Sequence, residues 1–234
     1  LARDRAVTEL LRGKVGATVQ LAIGSWIFAI GLGIPMGVLA AVKRGSGWDY
    51  FGRGLAIVGQ AAPPFVTALV AIWIFAVWLE WLPAGGRSPE FNWREYLLPC
   101  MALGWGAAAS LMRLTRSSML EVLDSEYIRL ARAKGVNWNW VIYKHALRNA
   151  LIVPVTSALL TFSGWLNGAL VVEIVFSWPG IGYEALYRAV NDNDFPLLLG
   201  TVFIFILIYL VFATIADIAY TIIDPRVRLG DSAE

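Results

Sequence analysis

Glu126-Tyr-Ile-Arg-Leu-Ala-Arg-Ala-Lys-Gly135 is a short basic run of helix-forming residues that stops at a glycine. Asp124 or Ser125 is suited to cap a helix starting near Glu126, with that acid in its first turn. Arg129, Arg132 and Lys134 fall toward the negative, C-terminal end of the helix. Gly135 suits the left-handed residue that closes it. Asn137 is placed to cap a second helix, predicted from Trp138 toward Asn149 and ending in Lys144, His145 and Arg148. The pattern over 124–148 is helix, glycine turn, helix, and it is polar.

The surroundings are not. The chain has 234 residues, 58% of them hydrophobic and only 15% charged, against about 25% charged in soluble domains. Stretches 15–42, 54–79, 96–112, 149–172 and 195–216 carry no charge at all and together make up half the chain. A membrane-crossing helix needs roughly 20 mostly apolar residues. Four stretches clear that length, and 96–112 reaches it by borrowing Glu95 or Arg113 as an interfacial anchor. Buried helices of a soluble protein carry a polar stripe, which these lack. The fold class is therefore an all-α polytopic membrane protein with five spans, at about 15–42, 54–79, 95–116, 149–172 and 195–223. Trp26, Trp48, Trp73, Trp78, Trp81, Trp93, Trp105, Trp165 and Trp178 lie in or near the apolar runs, several near their ends, as in an interfacial belt. The single cysteine, Cys100, excludes an intrachain disulfide and reads as a packing residue.

Basic residues set the orientation. Loop 43–53, segment 113–148 and the tail 224–234 hold 12 Lys and Arg, and the other side holds 7. The first group is predicted to be cytoplasmic, which places 1–14, 81–95 and 173–197 outside. The four basic residues before Val15 oppose this count, but segment 113–148 outweighs them. Residues 1–14 are too polar to span, and the chain starts at Leu1. A further helix is expected upstream in the natural protein.

A polar hairpin cannot lie in hydrocarbon, so 124–148 projects into water or onto the membrane surface. The residues alone leave two readings open: a docking site for a protein, or a basic amphipathic hairpin lying on anionic lipid. The wording of the segment resembles one family. Glu126, Tyr127, Ile128, Arg129, Ala131, Arg132, Ala133, Lys134 and Gly135 match the pattern of inner-membrane permease subunits of binding-protein-dependent ABC importers, in the dipeptide, oligopeptide and nickel branch. Leu130 departs from it, and His145-Ala-Leu-Arg-Asn-Ala-Leu151 continues it. Of the broader Glu-Ala-Ala signature only Ala131 is kept, with Arg129 and Leu130 in the preceding places, and its later Ile-x-Leu-Pro is missing. Leu82-Pro83, Arg113-Leu-Thr-Arg116, Val172-Glu-Ile-Val-Phe-Ser-Trp-Pro-Gly-Ile-Gly182 and Asp224-Pro-Arg226 are similar to further blocks, so the likeness covers nearly the whole chain.

The resemblance implies an ABC type I importer transmembrane domain over 15–223. It makes the hairpin the coupling helix that receives the push of the ATPase, with the small Ala131 seated in a groove. It sets Trp178, Pro179, Gly180 and Gly182 at the external mouth, near a partner permease and the docked binding protein. The implied partners are a second homologous permease, two ATP-binding subunits, an extracytoplasmic solute-binding protein and the lipid bilayer, in a bacterial or archaeal cytoplasmic membrane. Nucleic acid is not among them. The substrate is a peptide or related small solute, and alternating access is the implied mechanism.

This chain holds no phosphate loop of the Gly-x-x-x-x-Gly-Lys-Ser/Thr kind, no His-Glu-x-x-His and no nucleophile elbow. It is not read as an enzyme; ATP and Mg belong to the partner subunits, and no cofactor is expected here. With a lone His145 no metal site is expected. Asp217, inside the last apolar run, is a candidate intramembrane polar site: a contact for a substrate's ammonium group, or an ion pair near the cytoplasmic end. Glu173 poses the same choice at the external end. Gly24, Gly31, Gly33, Gly37, Gly164 and Gly168 suit close helix packing. The rival class is a self-contained channel or secondary transporter, which calls for mid-membrane charges and an internal repeat, features this chain scarcely has.

The orientation has a direct check. With Cys100 replaced, Ser88→Cys is expected to react with an impermeant thiol reagent added outside the cell, and Asn137→Cys only after permeabilisation. The opposite labelling would reverse the topology.

Overall fold

The computed structural model describes residues 11, 13–88 and 90–223. Nearly all of the segment read as 1–14 and the tail 224–234 lie outside the described residues. The described chain is helical. The helices are α1 (Lys14–Val42), α2 (Gly47–Ala61), α3 (Pro64–Ala71, continued by a π-helical segment Ile72–Trp78), α4 (Trp93–Leu123) and α5 (Glu126–Ala133). They are followed by α6 (Trp138–Trp140, running through Val141–Ala146 and Leu147–Ala150), α7 (Ile152–Val175), α8 (Gly182–Tyr187 with Arg188–Asn191) and α9 (Phe195–Ile223).

Two expectations change. The 54–79 stretch is not one helix. α2 ends at Ala61 and α3 starts at Pro64, and only the two together have the length and composition of a span. Pro63 and Pro64 explain the break: neither has an N–H to donate, and Pro64 holds Pro63 in extended backbone (φ −61°, ψ 149°). The 96–112 stretch does not end at its charges. α4 runs 31 residues, carrying Arg113 and Arg116 onward to Leu123. α1, α4 and Phe195–Ala219 of α9 are each long and apolar enough to cross a bilayer alone.

The chain divides into two compact units. One comprises the described residues up to Phe28, Ala62–Trp105 and Thr161–Ile215. It contains both segments read as external, 81–95 and 173–197. Its core gathers alanine, larger aliphatic and aromatic side chains, among them Leu21, Ala68, Leu98, Phe176 and Trp178. Trp178 is fully buried and so leaves the interfacial belt that the sequence suggested, whereas Trp48, Trp73, Trp78, Trp81 and Trp93 are exposed. Cys100 is buried and free, as its apolar setting implied. Its sulfur occupies the space a side chain at Gly24 would need.

The other unit comprises Ala29–Ala61, Gly106–Leu160 and the described residues from Ala216. It contains 43–53 and 113–148. Here α1, α2 and α4 meet through residues with little or no side chain. A Cβ at Gly33 would stand 2.6 Å from the Ala108 carbonyl oxygen, and one at Gly37 2.6 Å from that of Met112. Asp49, Gly52, Ala56 and Gly59 form the buried stripe of α2. Without a hydrophobic drive between helices in lipid, such close backbone approach supplies the attraction through dispersion contacts.

One buried ion pair fastens this unit. Asp49 is 1% exposed and its Oδ1 and Oδ2 accept from Arg116 Nε at 2.7 Å and Nη2 at 3.0 Å. The Gly45 N–H donates to Oδ2 at 3.0 Å, and Arg53 Nε stands 3.5 Å from Oδ1. A bidentate guanidinium is the geometry that offsets the cost of removing a carboxylate from water.

The glycine contacts predict opposite signs for two substitutions on α1. Gly37→Ala is expected to destabilise by ~1–3 kcal/mol, because a rigid backbone carbonyl occupies the new methyl's place. Gly31→Ala meets nothing within 4 Å, so it is expected to be neutral or stabilising, by up to ~1 kcal/mol. Thermal unfolding of the detergent-purified protein reads both; equal effects would remove the packing argument.

Candidate functional site: a basic hairpin and a clamped loop

The hairpin is built from local rules. α5 starts at Glu126 as predicted, but its cap differs. Ser125 has the extended backbone of a cap residue, yet its side chain makes no cap bond and its hydroxyl donates to the Val122 carbonyl instead. The C-terminus is a Schellman motif: Gly135 N–H donates to Arg132 O at 3.0 Å and Val136 N–H to Ala131 O at 3.2 Å. Gly135 has φ +77°, which glycine alone adopts without a steric cost. Asn137 then caps α6, its side chain accepting from the Asn139 N–H at 3.0 Å.

Ile128 is the inward knob of α5, 1% exposed, in a cluster with Met119, Val141, Ile142 and Ala146. Ala131, one turn on, is half-buried against the same cluster. Glu126, Tyr127, Arg129, Arg132, Ala133, Lys134 and Gly135 are all exposed. Leu130, the residue that departs from the pattern, is 61% exposed beside them.

The exposed charges are held lightly. Arg129 Nη1 meets Glu126 Oε1 at 2.9 Å, one turn apart and in water, a contact worth ~0.5 kcal/mol at most. Arg132 lies 5.0 Å over the Trp138 ring and Lys144 4.8 Å over Trp140. Asn149 Nδ2 donates to the Tyr127 hydroxyl at 3.0 Å, tying the end of α6 back to α5. The result is a rigid backbone that presents cations, Leu130, Trp140 and Tyr143 to the outside. Exposed apolar groups among charges mark a contact surface.

The Trp178-Pro-Gly-Ile-Gly182 loop is built in the opposite way, with its named residues inward. Trp178, Gly180 and Gly182 are buried and Pro179 half-buried. The Trp178 Nε1–H donates to the Ala17 carbonyl at 3.0 Å. Glu173 is fully buried and its carboxylate is the hub. It accepts from the Thr18 hydroxyl at 2.6 Å, the Gly182 N–H at 2.7 Å and the Tyr183 N–H at 3.2 Å. Thr18 Oγ1 in turn accepts from the Ile181 N–H at 2.9 Å. A Cβ at Gly180 would fall on the Glu173 carboxylate, and one at Gly182 would stand 2.6 Å from Leu170 Cδ1. The loop's glycines therefore make room for an acid and a neighbouring helix. Of the two roles weighed for Glu173, this geometry supplies the hydrogen-bonded structural one.

Sequence reading missed several partners of this loop. Arg87 Nε donates to the Tyr96 hydroxyl at 3.0 Å and Nη2 to Gln20 Oε1 at 2.8 Å, while its guanidinium lies 5.6 Å from the Trp178 ring centroid. The Gly86 N–H donates to Phe176 O at 2.8 Å. Thr18, Gln20 and Arg87 are far from the motif in sequence, so no local signal points to them. Asp217 is exposed on α9, where the Thr221 hydroxyl donates to its backbone carbonyl at 2.9 Å.

An all-helical membrane protein whose apolar helices carry a projecting basic hairpin is the class these features define. The chain belongs to the family of the binding-protein-dependent transport system inner membrane component, whose model matches residues 33–229. It is 39% identical over 224 residues to the glutathione transport system permease protein GsiC of Salmonella typhimurium, covering 96% of this chain and 72% of that one. It is 38% identical to the dipeptide transport system permease protein DppB of Alkalihalophilus pseudofirmus, covering 97% and 76%. The fold matches a solved inward-facing structure of the MetNI methionine ABC transporter, with a TM-score of 0.76, 18% identity and coverage of 93% and 97%. The ABC type I importer transmembrane fold expected from the motifs is thus the fold observed.

Thr18 offers a test of the clamp. Thr18→Val removes one donor to Glu173 and one acceptor for the Ile181 N–H while keeping the side chain's shape. Leaving buried polar groups unpaired is expected to cost ~1–3 kcal/mol. Amide exchange at Ile181 and Gly182 is expected to speed up before the rest of the chain does. Unchanged exchange at those amides would show that the loop is held by packing alone.

Proposed function

We propose that this chain is the permease subunit of an ATP-driven importer and forms, with a second permease, a pathway for peptides or a related small solute. An extracytoplasmic binding protein delivers the solute, and two separate ATP-binding subunits supply the work. The relatives named above, permeases of glutathione and dipeptide transport systems, support the solute class. The cytoplasmic membrane of a bacterium is the setting.

The observation that carries this reading is the hairpin. A lever must be rigid, exposed and fixed to the elements it moves. α5 and α6 are closed by the Schellman turn at Gly135, tied by Asn149 and Tyr127, and seated on Met119 of α4 through Ile128. Glu126, Tyr127, Arg129, Arg132, Ala133, Lys134 and Gly135 meet the ATPase, and Ala131 braces the helix from within. Displacing this lever biases a two-state bundle between inward and outward access. Trp178, Pro179, Gly180 and Gly182 shape the outer mouth as a loop clamped from beneath by Glu173. Asp217 keeps its two readings, a contact for a substrate's ammonium group or an ion pair near the cytoplasmic end.

Gly135→Val forces a β-branched residue to φ +77°, at about 1–2 kcal/mol or more. The variant is expected to insert and to keep the ATP-binding subunits only weakly on co-purification. ATP hydrolysis stimulated by the loaded binding protein is expected to fall at least tenfold, and Gly135→Asn, which tolerates positive φ, to retain most of it. Wild-type stimulation in a well-expressed Gly135→Val complex, or a purified chain that transports with no ATPase present, would overturn the reading.

A further inference from the structure

α2 and α4 enclose a small basic cleft of about 200 Å³ that the permease reading does not use. Arg53, Arg113 and Arg116 are among the residues that line it, with Ile57, Met112 and Gln60 beside them. We propose that this cleft binds the phosphate headgroup of an anionic phospholipid, with the lipid's acyl chains running along the exposed face of α2.

The charges are unbalanced. Asp49 is the one acid paired with these arginines among the described residues, and Arg116 already spans both its oxygens. Arg53 reaches it only at 3.5 Å, and Arg113 is exposed with no acidic partner among the described residues. Arg113 and the outer nitrogens of Arg53, whose Nε alone meets Asp49, are therefore left to take an anion, and guanidinium forks fit phosphate oxygens in pairs.

Position points to lipid as the source of that anion. Arg53 stands immediately before the charge-free stretch 54–79, and Arg113 immediately after 96–112. Both side chains thus mark the level at which an apolar helix leaves hydrocarbon. On the same end of α2, Trp48, Tyr50 and Phe51 are exposed, with Lys43 over the Trp48 ring and Arg53 over Tyr50 at 4.7 Å. Exposed aromatics interleaved with cations are the composition of the headgroup layer. Further along α2, Ile57 and Val58 are exposed and apolar, a surface for chains and not for water. The cleft is also small. Sites for whole small molecules run to roughly 300–1,000 Å³, so this one holds a headgroup phosphate and not a peptide. Basic pockets at helix ends with apolar flanks bind phospholipid in this way.

The test uses the full-length permease, purified in detergent and titrated with phosphatidylglycerol or phosphatidylcholine, with retained lipid read by native mass spectrometry. Wild type is expected to retain phosphatidylglycerol at least fivefold better than phosphatidylcholine. Arg53→Gln with Arg113→Gln is expected to abolish that preference, and the paired Lys substitutions to keep most of it. Both variants leave Arg116 on Asp49, so the buried pair survives; if the double Gln variant fails to fold, Arg113→Gln alone is expected to reduce the preference severalfold. Arg94→Gln, outside the cleft, is expected to change nothing. Equal retention of the two lipids by wild type, or a preference that survives the double Gln variant, overturns the proposal. Displacement of phosphatidylglycerol by millimolar inorganic phosphate also overturns it, by assigning the cleft to a free anion.

Discussion

Hydrocarbon offers the backbone no water, and every other feature of this chain follows from that constraint. Each N–H and C=O inside the bilayer must be paired within its own segment, so each apolar stretch becomes a helix. Pairing within helices leaves nothing to draw them together, and lipid tails solvate leucine as well as another leucine does. The contacts of α1 and α2 with α4 accordingly rely on alanine and glycine, with Gly33 and Gly37 set against backbone carbonyls of α4. The exposed surface is apolar where a soluble protein would be charged. Leu199 of α9 is 70% exposed in a helix that carries no charge before Asp217. That surface is stable only against lipid or another membrane subunit.

The same constraint sorts the polar groups into two kinds. Asp49 and Glu173, the buried acids among the described residues, are each held by several donors: Asp49 by a bidentate arginine and a backbone N–H, Glu173 by a hydroxyl and two backbone N–H groups. Many of those left exposed gather in the hairpin, where water screens them and each contact is worth little. Rigidity in the hairpin therefore comes from backbone closure and the Ile128 cluster, not from its charges. Its cations are left available for a partner because none is spent on holding the fold.

What was legible in the sequence was local. The glycine turn, the Asn137 cap and the start of α5 each depend on residues within a few positions, and charge-free runs mark helices without reference to anything distant. Three features needed the fold. Pro63-Pro64 was visible, yet hydropathy runs through it without interruption, so the break between α2 and α3 was masked by composition. Trp178 looked like one more interfacial tryptophan. Its burial depends on a hydrogen bond to Ala17, 161 positions away. Glu173 was recognised as ambiguous, and the residue that resolves it, Thr18, is 155 positions distant. Ser125 shows the limit even at short range, because its hydroxyl had two acceptable partners and took the Val122 carbonyl.

The two buried acids also differ in what their burial specifies. A buried ion pair seldom adds net stability over apolar packing, but breaking it leaves an uncompensated charge. Asp49 with Arg116 thus penalises any arrangement of α2 against α4 that separates them, which fixes a register that smooth glycine and alanine surfaces leave undetermined. Glu173 has no cation among its partners and is held by neutral donors alone. Its network works by direction: the Gly182 and Tyr183 N–H groups and the Thr18 hydroxyl converge on one carboxylate only when the loop is closed over it. Opening the loop would strand a carboxylate in an apolar setting, at several times the cost of one ordinary hydrogen bond. The loop is therefore held shut by the acid beneath it. Motion in the transport cycle must then carry this loop as a unit with α1 and α7, or else let water reach Glu173.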